Sequence, residues 1–569
     1  MNSAAESQCN LGKSHKYLIK SVIFVILLNH FMTTTQAATV LHSVTAYTST
    51  DSGLREFSVL VFSAEGRIMA TGDESLFANY PEAERISGEG RFVLPGLTDA
   101  HAHVYGLGAL AINLDLAGTP SVEAAVRRIK DHARDNPHAD WIQGRGWNQV
   151  LWPVKEFPVA ADIDVVVADR PVWLRRIDGH AGWANSAALE IAGIDDTTPD
   201  PIGGKIVRDQ QGKASGVLID KAMDLVTAHI PPPRKHEVRA AFRAAIKSLA
   251  SLGITSVHDA GISIGDAEVY TAMADDDELD VRIYAMLSSA DENLDAMGEP
   301  LIAYGGDRLD IRAVKLYSDG ALGSRGAALL EPYTDDAENR GLPFFTTAEL
   351  QGFVEKANAM GFQVGIHAIG DRGNRMSLDA FEKAQGGAAS PLRNRIEHAQ
   401  IIAPEDIPRF ARLGVIASMQ PTHATSDKNM AEDRLGPERI KGGYAWRRLL
   451  DSGAIIASGS DFPVELANPF HGLYAAVTRQ DRRGLPAGGW YADQALTRAE
   501  ALHSFTLAAA YAAHQETRLG SLEAGKWADF IVIDRDYFAI PASEIDDIKV
   551  LETWVAGERV YPAYAGDMQ

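Results

Sequence analysis

The chain has 569 residues, with 76 acidic against 54 basic side chains and a formal net charge of −22. Apolar residues make up 46% and charged residues 23%, a globular composition that excludes long disorder, collagen-like repeats and coiled coil. An acidic surface of that size repels phosphate backbones and anionic lipid heads, and no block of Lys and Arg offers a local exception. Cys9 is the only cysteine, so neither an intrachain disulfide nor a thiolate metal cluster is available, and any metal must be held by His, Asp, Glu or a modified Lys.

Residues 1–37 read as a targeting segment. Lys13, Lys16 and Lys20 precede a compact apolar run from Val22 to Leu28, and Thr35, Gln36 and Ala37 place small residues at −3 and −1 of a cleavage site after Ala37. That is the order of a secretory signal peptide, and the apolar run is too short to span a bilayer. The expected location is periplasmic or secreted. Cleavage would also remove Cys9 and leave a cysteine-free protein suited to an oxidising compartment.

From residue 38 to about 92 the pattern is of short strands, among them 57–62 and 66–72, bounded by Gly and acidic turn residues. The other end, 514–569, has the same character, with strands at 529–534 and 550–555. Two β-rich ends around a long centre predict one small composite β-sandwich built from both termini. Between them, residues 93–513 alternate strand and helix. Short strands are expected at 94–99, 172–177, 254–257, 311–316, 363–366, 393–396, 415–418 and 455–458. Helices are expected at 234–252 and 347–360, and Thr497 to Glu500 forms a capping box opening an Ala-rich helix. Eight strands alternating with helices predict a (β/α)8 TIM-type barrel, an α/β fold. The span around 105–171 exceeds one βα unit and reads as an insertion or lid carrying Trp141, Trp147 and Trp152.

In such a barrel the reactive residues sit at the C-terminal ends of the strands. The first strand ends in His101 and His103, two residues apart and so on one side of the strand. Later strands bring Lys315, His367, His398 and Asp461. Imidazole and carboxylate suit zinc, with manganese and iron also accepted. A lysine ammonium repels a cation, but its carbamate (a carboxylysine) is anionic and can bridge two metals. Any one of these residues alone reads more simply as a satisfied core histidine, a snorkelling lysine or a turn aspartate; the set carries the signal.

With those residues in place, the sequence resembles the metal-dependent amidohydrolase superfamily, and within it amidohydrolase family 3, the YtcJ-like branch. The matching segments are 94–103, 178–186, 314–325, 367–371, 395–398, 459–463 and 520–530, spread over nearly the whole chain beyond residue 37. The resemblance implies that His101, His103 and Asp461 bind one metal, His367 and His398 a second, and Lys315 bridges them, with one or two Zn2+ per chain. It also implies hydrolysis of a carbon–nitrogen bond other than a peptide bond in a small molecule, and includes deformylases of N-substituted formamides. Asp461 would act first as base and then as acid; His180, at the end of a strand facing the same mouth, reads either as a group that polarises the substrate carbonyl or as a structural hydrogen-bonding residue. His258, Asp319, Arg325, Asp371, His423 and Trp147 lie near the expected mouth without an assigned role; Arg325 reads either as a carboxylate binder or as a loop ion pair. The expected partner is a small-molecule substrate, with no nucleic acid and, after cleavage, no membrane; a homodimer is compatible. The same metals would serve esters, lactones and phosphotriesters, and a non-catalytic regulator of exoenzyme production is the alternative from another class.

Overall fold

A computed structural model describes residues 38–562 except 51, 150–151, 177–180, 202–203, 289–290 and 324. The expected signal segment and His180 therefore lie outside the described residues.

The centre of the chain is a parallel barrel. Its strands are β1 (Leu97–Ala102), β2 (Ile254–Ile262), β3 (Arg282–Ser288), β4 (Leu309–Tyr317), β5 (Gln363–Ala368), β6 (Arg395–His398), β7 (Ile416–Met419) and β8 (Ile456–Ser458). They pair in that order, every ladder parallel. Several are buried along their whole length, as expected for strands with helices outside and packed side chains inside. Residues just past β8 close the ring against β1. Asp461 N donates to His101 O at 2.8 Å and His103 N to Phe462 O at 2.9 Å. Ser460 Oγ donates to Asp99 Oδ2 at 2.6 Å.

The two chain ends meet as expected. One six-stranded sheet runs Glu558–Tyr561, Val550–Val555, Phe530–Ile533, Phe92–Pro95, Thr45–Thr50 and Gly53–Phe57. It faces a four-stranded sheet from residues 39–87 across a core holding Leu41, Phe62, Phe530 and Trp554. Phe530 and Trp554 stack at 5.3 Å. Arg282, at the start of β3, joins barrel to sandwich by a bidentate pair with Asp529 at 2.7 and 3.0 Å.

Two expectations need correction. Val172–Arg176 is not a barrel strand. It lies in a six-stranded sheet with Leu114–Asp115, Ile142–Trp147, Ala181–Ala184, Gly204–Arg208 and Ala214–Asp220. The insertion is accordingly larger than 105–171, with hydrophobic cores of its own. The barrel's missing strand is Arg282–Ser288, which supplies β3 while Ile254–Ile262 moves up to β2. Trp147 and Trp152 pack the insertion: both are buried, and their indole N–H groups donate to Leu174 O and Thr119 O. No helix among the described residues is long and apolar enough to cross a membrane.

Candidate active site

The C-terminal ends of β1, β4, β5, β6 and β8 bring five of the sequence-predicted residues into one buried cluster, with His103 at its edge. His101 lies within β1, and His103 caps the helix Val104–Ile112 that follows. His398 ends β6 and Asp461 follows β8, both in the left-handed region at φ 73° and 62°. Ligand atoms of His101, His398 and Asp461 lie within 4.8 Å of one another. His103 Nε2 stands 3.2 Å from Asp461 Oδ1, and His101 Nε2 stands 3.6 Å from the same oxygen. The His367 ring centroid is 4.6 Å from that of His398. Lys315, on β4, is 1% exposed, with Nζ 4.6 Å from the centre of the Tyr317 ring; Tyr317 in turn lies 5.5 Å from His367.

The backbone is fitted to this crowding. A Cβ at Gly459 would stand 2.5 Å from His101 N and 2.6 Å from Asp99 Oδ1, so only glycine lets the β8 exit close on β1. A Cβ at Gly365 would stand 2.7 Å from Glu397 Oε1, so glycine also keeps room for a carboxylate that sequence reasoning passed over.

Glu397 is part of a fully buried support layer. Its Oε2 lies 2.5 Å from His101 Nδ1, and its Oε1 lies 2.5 Å from Arg395 Nε. Arg395 also donates to Ala100 O at 2.5 Å and to Ser418 Oγ at 2.6 Å, and its Nη1 is 3.0 Å from His258 Nδ1. His258 thus belongs beneath the cluster. Gln420 Oε1 accepts from His398 Nδ1 at 2.8 Å. With both Nδ1 atoms so engaged, the Nε2 atoms of His101 and His398 are the lone-pair nitrogens. The motif at residues 395–398 contains Arg395 and Glu397 as well as His398, but sequence assigned a role to His398 alone; the roles of Arg395, Glu397 and Gln420 depend on contacts between strands.

Other candidates divide cleanly. His423 joins the cluster, its Nε2 3.6 Å from Asp461 Oδ2 and its ring 5.8 Å from that of His398. Asp319 braces the loops beyond β4 and β5, accepting from Ala328 N, Ile369 N and Gly370 N at 2.7, 3.0 and 2.8 Å. Asp371 accepts from Leu330 N at 2.8 Å at the start of its helix. Arg325 pairs with Asp335 at 3.0 Å, the loop ion pair rather than a free carboxylate binder.

Burial sets the charge states. It lowers His101 to about 4 and His367 to about 3, with the Lys315 charge acting the same way. It lowers His398 well below the ordinary value, the neighbouring His367 and His101 adding to the effect. The imidazoles are therefore neutral and able to ligate. Burial alone would raise Asp461, but the 3.2 Å contact with His103 and the other nearby histidines bring it down to about 2. Burial pushes Lys315 down to about 8 against the pull of Glu397 and Asp461.

Neutral imidazoles beside an ionised carboxylate form a donor set for a divalent cation. The fit is supported by the buried His101 Nε2, His367 Nε2 and Asp461 Oδ1, which have no hydrogen-bond partner among the described residues. Unpaired buried polar atoms are costly, and a cation would satisfy all three.

Comparison with known proteins agrees. The model of the Amidohydrolase family matches residues 85–561. YtcJ of Bacillus subtilis (strain 168), named as an amidohydrolase, is 35% identical over 532 residues, covering 91% of this chain and 98% of that protein. The N-substituted formamide deformylase of Arthrobacter pascens is 28% identical over 522 residues, covering 88% and 94%. A metal-dependent hydrolase of Pyrococcus furiosus superposes with a TM-score of 0.75 at 29% identity, covering 88% of this chain and all of that one. A barrel with a His/His/Asp cluster at its mouth, a composite sandwich and these relatives together place the chain in the amidohydrolase family, as a hydrolase of its metal-dependent kind.

Proposed function

We propose that the protein hydrolyses a carbon–nitrogen bond, other than a peptide bond, in a small amide or formamide, using one or two zinc ions. The observation that carries the reading is the convergence of His101, His398 and Asp461, with the outer nitrogens of both imidazoles already engaged. His101, His103 and Asp461 would hold one ion, His367 and His398 a second, and Lys315 as its carbamate would bridge. When bound, the metal supplies Lewis-acid polarisation and a nucleophile at neutral pH.

The protein's own groups do the rest. Glu397 and Gln420 fix the two imidazoles by their Nδ1 protons. Asp461 is ionised and faces the reacting centre, so it takes a proton from the attacking water and returns it to the leaving nitrogen. Its Oδ2 lies 3.6 Å from His423 Nε2, a charge contact rather than a hydrogen bond. The residues closing β8 onto β1 hold Asp461 against His101, which keeps the proton's path short.

The test is a hydrolysis screen of the zinc-loaded protein across formamides, acyl amides, ureas and lactones. Turnover of amides or formamides is expected, with Asp461→Asn lowering kcat by orders of magnitude while the fold persists. Turnover confined to lactones or esters would replace the carbon–nitrogen reading, and full activity in a verified metal-free preparation would remove the metal from it.

A further inference from the structure

A cavity of about 530 Å3 opens beside His103, between the helix Val104–Ile112, the helix Lys235–Ser251 and the end of β2. It reaches the proposed reacting centre from two sides. His103 lines it and stands 3.2 Å from Asp461. Gly261 lines it as well, and a Cβ there would lie 3.5 Å from the Tyr317 hydroxyl and 3.8 Å from Lys315 Cγ. Outward, the cavity shares Tyr105, Pro232 and Pro233 with a second one of about 680 Å3 that runs along the insertion to Trp141. The two cavities adjoin, but the outer one is also lined by Asp140, Arg175, Arg234 and Glu237, so the inner cavity is the groove that concerns the substrate.

The charges lining the inner cavity are satisfied within the protein. Lys235 pairs with Glu268 at 2.5 Å. Asp259 accepts from Tyr270 Oη at 2.7 Å and Val104 N at 3.1 Å. Asp266 accepts from Ser263 N at 2.9 Å and Ser263 Oγ at 2.8 Å. What remains as wall is Tyr105, Pro232 and Pro233, with the largely buried Val238 and Ile262. Two lining carboxylates against one lysine disfavour an anion, and Arg325 is committed to Asp335.

We infer that this groove is the substrate's side-chain subsite, and that it selects an uncharged substrate with a sizeable apolar substituent beside the scissile bond. The inference excludes a carboxylate-bearing acyl amino acid as the preferred substrate. It rests on the amide reading above for the bond that is cleaved, but not for the binding itself.

Gly265 offers a clean way to fill the groove. It lines the inner cavity, and a Cβ added there meets only Ser263 Oγ, at 3.6 Å. The probes are N-methylformamide, N-hexylformamide and N-formyl-6-aminohexanoate, each titrated calorimetrically into the zinc-loaded protein and assayed for hydrolysis. Each buried methylene strengthens binding by roughly two- to fourfold, so N-hexylformamide should bind at least tenfold more tightly than the methyl compound and than the carboxylate. Gly265→Trp should abolish the hexyl advantage and leave methyl binding unchanged, with Gly265→Leu intermediate. Equal hexyl affinity in wild type and Gly265→Trp, or preference for the carboxylate, overturns the groove assignment. Hexyl binding lost in Gly265→Trp, but without hydrolysis in wild type, upholds the groove and refutes the formamide reading instead.

Discussion

Glu397 Oε2 accepts a hydrogen bond from His101 Nδ1 while Oε1 is held by Arg395, and all three side chains are fully buried. Burial would raise the Glu397 carboxyl, but the Arg395 charge and the contact with His101 hold it well below the usual carboxylate range. Glu397→Gln removes that charge and can present its amide N–H to His101, which no longer fixes the ring with Nε2 towards the cluster. Loss of such a supporting carboxylate typically weakens metal binding by about 10–100-fold. Competition with a chelator of known affinity should show that loss with circular dichroism unchanged; wild-type affinity would leave Glu397 a structural residue. Lys315 is tested differently. An ordinary buried lysine with no bridging role predicts that Lys315→Ala keeps its activity. The bridging role predicts a loss of several orders of magnitude, partly restored by acetate entering the vacated space. Lys315→Arg should resist rescue, because a guanidinium fills the gap and stays positive. Full turnover of Lys315→Ala without added acid would remove the bridge and leave His101, His103 and Asp461.

Among the elements, strand membership separates what was legible in sequence from what was not. The ends of β1, β4, β5, β6 and β8 could be read because histidine, lysine or aspartate at a strand exit is a local signal. The run 172–176 could not be placed, because a β-branched segment ending in arginines looks the same whether its sheet closes into a barrel or covers an insertion. β3 was overlooked for the converse reason: 282–288 opens with Arg282, an apparent surface residue, yet that arginine is 1% exposed. Its partner Asp529 lies 247 residues away in the sandwich, a distance no sequence window spans. The same pair gives a prediction for how the two domains are joined. Asp529 also accepts from Ala556 N at 2.7 Å, so Asp529→Ala leaves a buried guanidinium and a backbone donor unpaired. Breaking a buried pair from one side costs about 3–5 kcal/mol. Chemical denaturation should register a loss of that size, while Arg282→Met with Asp529→Leu should recover part of it. An unchanged midpoint in Asp529→Ala would mean that water replaces the carboxylate and that the join lies elsewhere.

For the whole molecule, the weakest ring closure coincides with the candidate metal site. Seven neighbouring strand pairs around the barrel are joined by parallel ladders, whereas β8 meets β1 through the residues after it, with Ser460 and Asp461 reaching Asp99 and His101. His101 and Asp461 lie on opposite sides of that seam, and His398 lies on β6. An ion bound to His101 and Asp461 would cross-link the seam, and ligand bound only by the native state stabilises it by about 4 kcal/mol when free metal is a thousandfold above Kd. Removing metal with a chelator should therefore lower the thermal midpoint by several degrees, and zinc should restore it. Asp99→Ala separates the seam from the ion. Asp99 accepts from Ser460 N and Oγ and from His101 N but stands behind the cluster, so its loss should lower the midpoint by a similar amount with metal or without. His103→Ala, which removes a partly exposed ligand of the ion across the seam, should instead remove most of the zinc-dependent increment while changing the metal-free midpoint less. If verified removal of metal leaves the wild-type midpoint where it was, the seam is held by protein contacts alone, and the ion serves only the chemistry at the barrel mouth.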